Sequence, residues 1–257
     1  MIAVEKTSVA GIPLLEVAPL ERFSQPLPTV IFLHGFTSAK EHNLHYAYLL
    51  AEKGIRTLLP EAEFHGERAA NAHSVHLPEK FWDIVVTAIK ELETVKDAWE
   101  RQGKIMPGKI GVAGTSMGGI VTLGALVRYD WIRAAVSLMG CPEYVPFAKY
   151  LLAQMEKLQM KISLSAEEIE RRLEILSRFD PASNREKFTA CPLLFWHGKK
   201  DQTVPHHFAY RFFQDMRKRY ENPEQIRFIL DEQADHKVTR EGVKAAVDWL
   251  HQYLSGS

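Results

Sequence analysis

Six short apolar runs bounded by glycine or proline recur along this chain, at Thr29 to Leu33, Arg56 to Leu59, Ile110 to Ala113, Ala134 to Met139, Leu193 to Trp196 and Arg227 to Leu230. Continuous apolar runs of this length suit strands covered on both faces, which points to a parallel sheet. Between them lie stretches of helical spacing, at about 42–53, 80–102, 117–128, 205–220 and 239–254. Strand and helix therefore alternate as in a doubly wound α/β sheet with helices on both faces. Ahead of that series, Ile2 to Glu5 and Ile12 to Val17 flank Ala10-Gly11, which predicts an antiparallel hairpin at one sheet edge.

The rhythm breaks once. About fifty residues separate the run ending near Met139 from the run beginning near Leu193, far more than a plain crossover needs. Two helical patterns fall inside, Tyr144 to Leu158 and Ala166 to Leu176, the second opened by a capping box of Ser165 and Glu168. The expectation is one domain over residues 1–257 carrying a small helical cap insertion at 141–190. Leu151, Leu152, Met155 and Leu158 would form an apolar stripe on the first cap helix, packing onto the domain below or facing a substrate.

At 257 residues, one large α/β domain is the default size. Lys and Arg total 32, as do Asp and Glu, so no net field favours nucleic acid or an anionic membrane surface. No basic segment leads into an apolar core at the start, and no apolar run approaches eighteen residues. These features predict a soluble, cytoplasmic protein without nucleic-acid or membrane partners, with homo-oligomerisation left open. The two cysteines, Cys141 and Cys191, exclude a disulfide framework but leave one bridge open.

The chemistry is signalled where the third of the six runs, Ile110 to Ala113, continues as Gly114-Thr115-Ser116-Met117-Gly118-Gly119 and then into an apolar helix. A serine hydroxyl attacks a carbonyl only when held clear of its neighbours, beside a base and donors for the developing oxyanion. A sharp strand-to-helix turn gives that exposure. Glycines at 114 and 118 let the backbone double back, and the new helix offers unpaired amides. Ser116 is the expected nucleophile.

A nucleophilic serine needs a base, and the base an acid that fixes its tautomer. The run Leu193 to Trp196 leads into His197-Gly198-Lys199-Lys200-Asp201, placing Asp201 in a loop at the strand's C-terminal end, the edge where open parallel sheets bind ligands. Asp180 and Asp231 are weaker candidates for the acid, and Asp201 could instead serve a turn. Of eleven histidines, His236 alone follows the last predicted strand in a loop, whereas His206 and His207 are expected to begin a helix. His236 is the expected base, and Asp235 beside it is expected to point to solvent or a neighbouring backbone amide.

Two backbone amides should receive the oxyanion, those of Met117 and of Phe36 in the loop His34-Gly35-Phe36-Thr37-Ser38. Substrate-pocket candidates are His34, His65, Tyr144 and Val204, with His34 read foremost as a structural hydrogen-bonding residue. The loop Pro60 to Arg68 either shapes the pocket or is held by local Glu and Arg pairing. The pairs His42 with His45, His73 with His76, and His206 with His207 lack a matching carboxylate or cysteine set, so no metal is expected.

Through His34-Gly35-Phe36, Gly114-Thr115-Ser116-Met117-Gly118-Gly119, Asp201-Gln202-Thr203-Val204-Pro205 and Asp235-His236, the chain resembles the α/β-hydrolase superfamily over nearly its whole length. In detail it is similar to small bacterial esterases of the dienelactone hydrolase and prolyl oligopeptidase branches. The resemblance implies an α/β-hydrolase fold, a Ser116-His236-Asp201 triad and cofactor-free hydrolysis of small-molecule esters with a small to medium acyl group, through an acyl-enzyme. Ala234-Asp235 stands before the histidine where a glycine often sits nearby, and serine replaces the cysteine of dienelactone hydrolases proper. The alternatives are a serine peptidase acting on short peptides and a ligand-binding hydrolase fold without catalysis.

Overall fold

The computed structural model describes residues 1–69, 77–159, 162–188 and 191–256. Its first strands, β1 (Ile2–Val9) and β2 (Ile12–Pro19), pair antiparallel from Ile2 against Pro19 to Val9 against Ile12. Ala10 and Gly11 both adopt positive φ, 48° and 78°, the twist that suits a two-residue hairpin turn. The hairpin expected at a sheet edge is therefore present, and longer than its apolar cores alone indicated.

The six apolar runs become β3 (Leu27–Leu33), β4 (Arg56–Pro60), β5 (Ile105–Thr115), β6 (Ala134–Leu138), β7 (Leu193–Gly198) and β8 (Ile226–Asp231). Together with the hairpin they form an eight-stranded sheet in the order β1-β2-β4-β3-β5-β6-β7-β8. All pairings from β4 to β8 are parallel, and β2 runs antiparallel to β4. The connecting helices are α1 (Leu44–Glu52), α2 (Phe81–Arg101), α3 (Met117–Arg128), α4 (Tyr144–Lys157), α5 (Ala166–Ser177), α6 (His206–Arg217) and α7 (Arg240–Ser255). A short 3-10 turn at Lys40–Asn43 takes the place of the expected first turn of α1.

Because side chains alternate across a strand, each central strand feeds two cores. Ile31, Val112, Leu193 and Phe195 join Ile84, Ile120 and Phe212 of α2, α3 and α6 on one face. Val30, Phe32, Leu194 and Trp196 join Tyr46 and Leu50 of α1 and Val247 and Leu250 of α7 on the other. Runs apolar at every position were legible as strands for this reason.

α4 and α5 lie between β6 and β7 in the chain. The capping box forms as expected: the Glu168 amide donates to Ser165 Oγ at 3.2 Å, and the Ser165 amide donates to the Glu168 carboxylate at 2.9 Å. The expected apolar stripe of α4 is shorter than its sequence pattern. Leu151, Leu152 and Met155 line a cavity between α4, α5 and the start of α2, whereas Leu158 closes the helix and is 71% exposed. Cys141 and Cys191 are both buried and unbridged. No helix among the described residues is long and apolar enough to cross a membrane.

Candidate active site

β5 passes into α3 through a single residue. Ser116 has φ 53° and ψ −115°, a conformation unfavourable for an L-residue and one that surrounding structure must enforce. Its amide donates to Leu138 O at 2.7 Å, anchoring it to the end of β6, and its carbonyl receives the Ile120 amide at 2.9 Å. The glycines either side permit the packing. A Cβ at 114 would sit 2.4 Å from Gly118 C, and one at 118 would sit 2.2 Å from Leu33 O.

The loops after β7 and β8 bring Asp201 and His236 to this turn. His236 Nε2 lies 2.8 Å from Ser116 Oγ, and Nδ1 lies 2.7 Å from Asp201 Oδ2. Asp201 Oδ1 accepts the amides of Thr203 and Val204, each at 2.9 Å. Burial acts to raise the Asp201 carboxyl, but hydrogen bonds from His197, His236 and the Val204 amide outweigh it and hold the group well below the usual carboxylate range. An ionised carboxylate only accepts, so the His236 proton belongs on Nδ1 and Nε2 is bare toward the serine hydroxyl. The His236 side chain is 26% exposed, open to an incoming molecule from outside.

The other aspartates serve the backbone. Asp180 is fully buried and accepts from the Ala182 and Val145 amides, and Asp231 accepts from the Gln233 and Ala234 amides. Asp235 is exposed. His206 and His207 open α6.

Gly35 sits against the serine: a Cβ there would lie 3.4 Å from Ser116 Cβ. Met117 is the first residue of α3, so its amide has no partner within the helix, and no turn or loop carbonyl among the described residues takes the Met117 or Phe36 amide.

The four expected pocket residues are all buried. His34 Nδ1 lies 2.8 Å from Gly35 O and its Nε2 lies 3.0 Å from the Ala62 amide; His65 Nε2 accepts the Thr37 amide at 2.9 Å. Tyr144 packs into the core with its hydroxyl on Ile120 O, and Val204 is 3% exposed. The polar side chains among them, those of His34, His65 and Tyr144, hydrogen-bond backbone groups around the site, the structural role expected for His34. The loop from Pro60 to Arg68 is held by ion pairs, though across elements instead of locally. Lys40 Nζ meets Glu61 at 2.6 Å and Glu67 at 2.7 Å, and Arg68 forks onto Glu91 of α2 at 2.9 and 2.8 Å.

One neighbour of the site had no expected role. His197 Nε2 lies 2.7 Å from Val204 O and 3.3 Å from Asp201 Oδ2, bracing the loop that carries the acid. Its signal was a histidine ending an otherwise apolar strand. Glu41, Glu61 and Glu67 cluster closely, but the Lys40 ammonium already sits among them. His42 bonds Ser38, and His73 and His76 lie outside the described residues.

A mostly parallel eight-stranded sheet with serine, histidine and aspartate hydrogen-bonded in series on loops at its C-terminal edge defines the α/β-hydrolase class. The chain belongs to the prolyl oligopeptidase family, whose model matches residues 86–257. It is 47% identical to "Putative esterase YitV" of Bacillus subtilis (strain 168), covering 99% of this chain and 100% of that protein. It is 29% identical to "Esterase YjfP" of Escherichia coli (strain K12), again over 99% of this chain and 100% of the relative. Among solved structures, TT1662 from Thermus thermophilus superposes with a TM-score of 0.76 at 22% identity, with both chains fully covered. At that identity the structural likeness speaks to the fold.

Proposed function

We propose that this protein is a carboxylic ester hydrolase working through an acyl-enzyme on Ser116. The observation that carries this reading is the unbroken hydrogen-bond series from Ser116 Oγ through His236 to Asp201. His236 Nε2 takes the hydroxyl proton as Ser116 Oγ bonds the ester carbonyl carbon, and Asp201 stabilises the imidazolium that results. The carbonyl π pair moves onto oxygen, where the Met117 and Phe36 amides receive it. Collapse expels the alcohol, protonated by His236. Water, deprotonated by the same imidazole, then releases the acid and restores Ser116.

An apolar acyl group of small to medium size suits the surroundings. The Phe36 ring packs edge-on against Phe81 at 5.3 Å, and Phe81 and Trp82 line the cavity between α4, α5 and the start of α2. We read those two helices as a cap over the substrate and 1–257 as one catalytic domain. The buried, free thiols of Cys141 and Cys191 suit a reducing compartment, which supports work in the cytoplasm.

The peptidase reading carries less weight, since both relatives matched end to end are named esterases. Paired p-nitrophenyl ester and aminoacyl-amide substrates test the choice. Serine-dependent turnover of the ester at far higher kcat/KM is expected, and preference for the amide overturns it. A fluorophosphonate probe is expected to label Ser116, and labelling elsewhere contradicts the assigned nucleophile.

A further inference from the structure

Resting on the reading that the Phe36 amide is one of two oxyanion donors, we propose that His65 is a positioning residue for that donor: its bare Nε2 accepts the Thr37 N–H and fixes the peptide planes around Phe36.

The loop after β3 is not a conformation that holds itself. Thr37, a β-branched residue, has φ 59°, in the left-handed region that such side chains avoid. Both peptide planes flanking Phe36 are nevertheless tied. Gly35 O accepts from His34 Nδ1 at 2.8 Å and from the Ser38 amide at 3.2 Å. A trans peptide sets N–H opposite C=O, so fixing that carbonyl fixes the Phe36 N–H on the far side of the plane. In the next plane, Phe36 O accepts from Thr37 Oγ1 at 2.7 Å, and the Thr37 N–H donates to His65 Nε2 at 2.9 Å. Of these ties, the His65 bond is the one that reaches across to the neighbouring loop after β4.

His65 is built for accepting. Its Nδ1 lies 2.7 Å from Glu63 O, an oxygen that cannot donate, so the ring proton sits on Nδ1 and Nε2 is bare. The residue is 3% exposed, which leaves little room for water to substitute. The groups facing it are the His34 ring at 5.2 Å, the Phe36 ring at 5.5 Å, and Glu61 and Arg68 from its own loop. Burial and the neighbouring His34 keep the imidazole below its usual range, against the opposing pull of the Glu63 carbonyl.

A mis-aimed donor weakens the oxyanion more than the bound ester, so the effect belongs in kcat and not in KM. Steady-state kinetics on a p-nitrophenyl ester, with thermal melts to verify folding, compare wild type with His65→Gln and His65→Asn. Glutamine carries an acceptor about as far out as Nε2; asparagine ends at the distance of Nδ1. His65→Gln is expected to keep kcat within about threefold, and His65→Asn to lose about 10- to 100-fold in kcat with KM unchanged, less than deleting a donor outright. Affinity for a trifluoromethyl ketone should fall in step with kcat/KM. A folded His65→Asn enzyme with wild-type kcat, a loss confined to KM, or equal losses in both variants overturns the proposal. Should a variant not fold, the 15N shifts of wild-type His65 decide: a bare Nε2 is expected, and a proton there overturns it. Turnover surviving Ser116→Ala strikes the esterase reading itself, whereas Ser116-dependent turnover indifferent to His65→Asn strikes this inference alone.

Discussion

A methyl group at position 118 has nowhere to go. It would meet Leu33 O at 2.2 Å and Leu33 C at 2.6 Å, backbone atoms at the end of β3 that cannot swing aside as a side chain can. Gly118→Ala should therefore lose about 1–3 kcal/mol of stability in urea denaturation, the scale of overpacking. It should also lose activity, because Leu33 leads directly into the Gly35-Phe36 loop. Asp201→Asn should leave the fold intact and lower kcat about 10⁴-fold, since a neutral amide no longer selects the Nδ1–H tautomer of His236; a loss under tenfold would remove Asp201 from that role. Ser116, Asp201 and His236 were legible because each stands where a local apolar pattern stops at the same sheet edge. His65, His197 and the buried Lys40–Glu61 pair were not legible in those roles. Their partners, Thr37, Val204 and each other, are set by how neighbouring loops fold together, and no spacing rule encodes that.

Among the elements, α5 begins at a local signal and β4 at a non-local one. The Ser165 and Glu168 pair can be read from four consecutive residues, and Ser165→Ala should destabilise the folded state by about 1 kcal/mol or less by chemical denaturation, as its helix is exposed. Arg56, by contrast, looked like the unremarked start of a strand. It is fully buried, donates through Nε to Glu16 at 2.7 Å, and reaches the carbonyls of Phe23, Gln25 and Lys104. One guanidinium thus ties β2 and β4 to the segments entering β3 and β5. Arg56→Ala should cost about 3–5 kcal/mol in the same measurement, because Glu16 and the carbonyls lose a buried partner together. The contrast explains which elements were legible: apolar period and caps are local, whereas a buried cation's partners lie tens of residues away. Strand order across the sheet was equally hidden, since parallel neighbours such as β3 and β5 are joined only through long crossovers.

Over the whole molecule, the ionisable groups around the site make acid the vulnerable direction. His65 is held below its usual range by burial, so the unfolded chain binds a proton there before the folded one does. That contribution is complete above the ordinary imidazole range and is lost as pH falls through it toward the folded value. Asp201, also held low, adds stability that is complete above the ordinary carboxylate range and is lost as pH falls below it. Unfolding free energy followed by urea titration should therefore decline in two windows on acidification, and Asp201→Asn should remove part of the lower one, which it shares with Glu61, whose burial is outweighed by hydrogen bonds from His34 and Lys40 that hold it low; an unchanged lower window would contradict the assignment. Whether Ser116 carries ester hydrolysis on this fold is decided by a single comparison. Wild type and Ser116→Ala are assayed in parallel on p-nitrophenyl esters from acetate to long acyl chains. Wild-type turnover with a preference for short to medium chains is expected, with a loss of about 10⁴-fold or more in kcat on removing the hydroxyl. Wild-type rates from the alanine enzyme would contradict that role for Ser116.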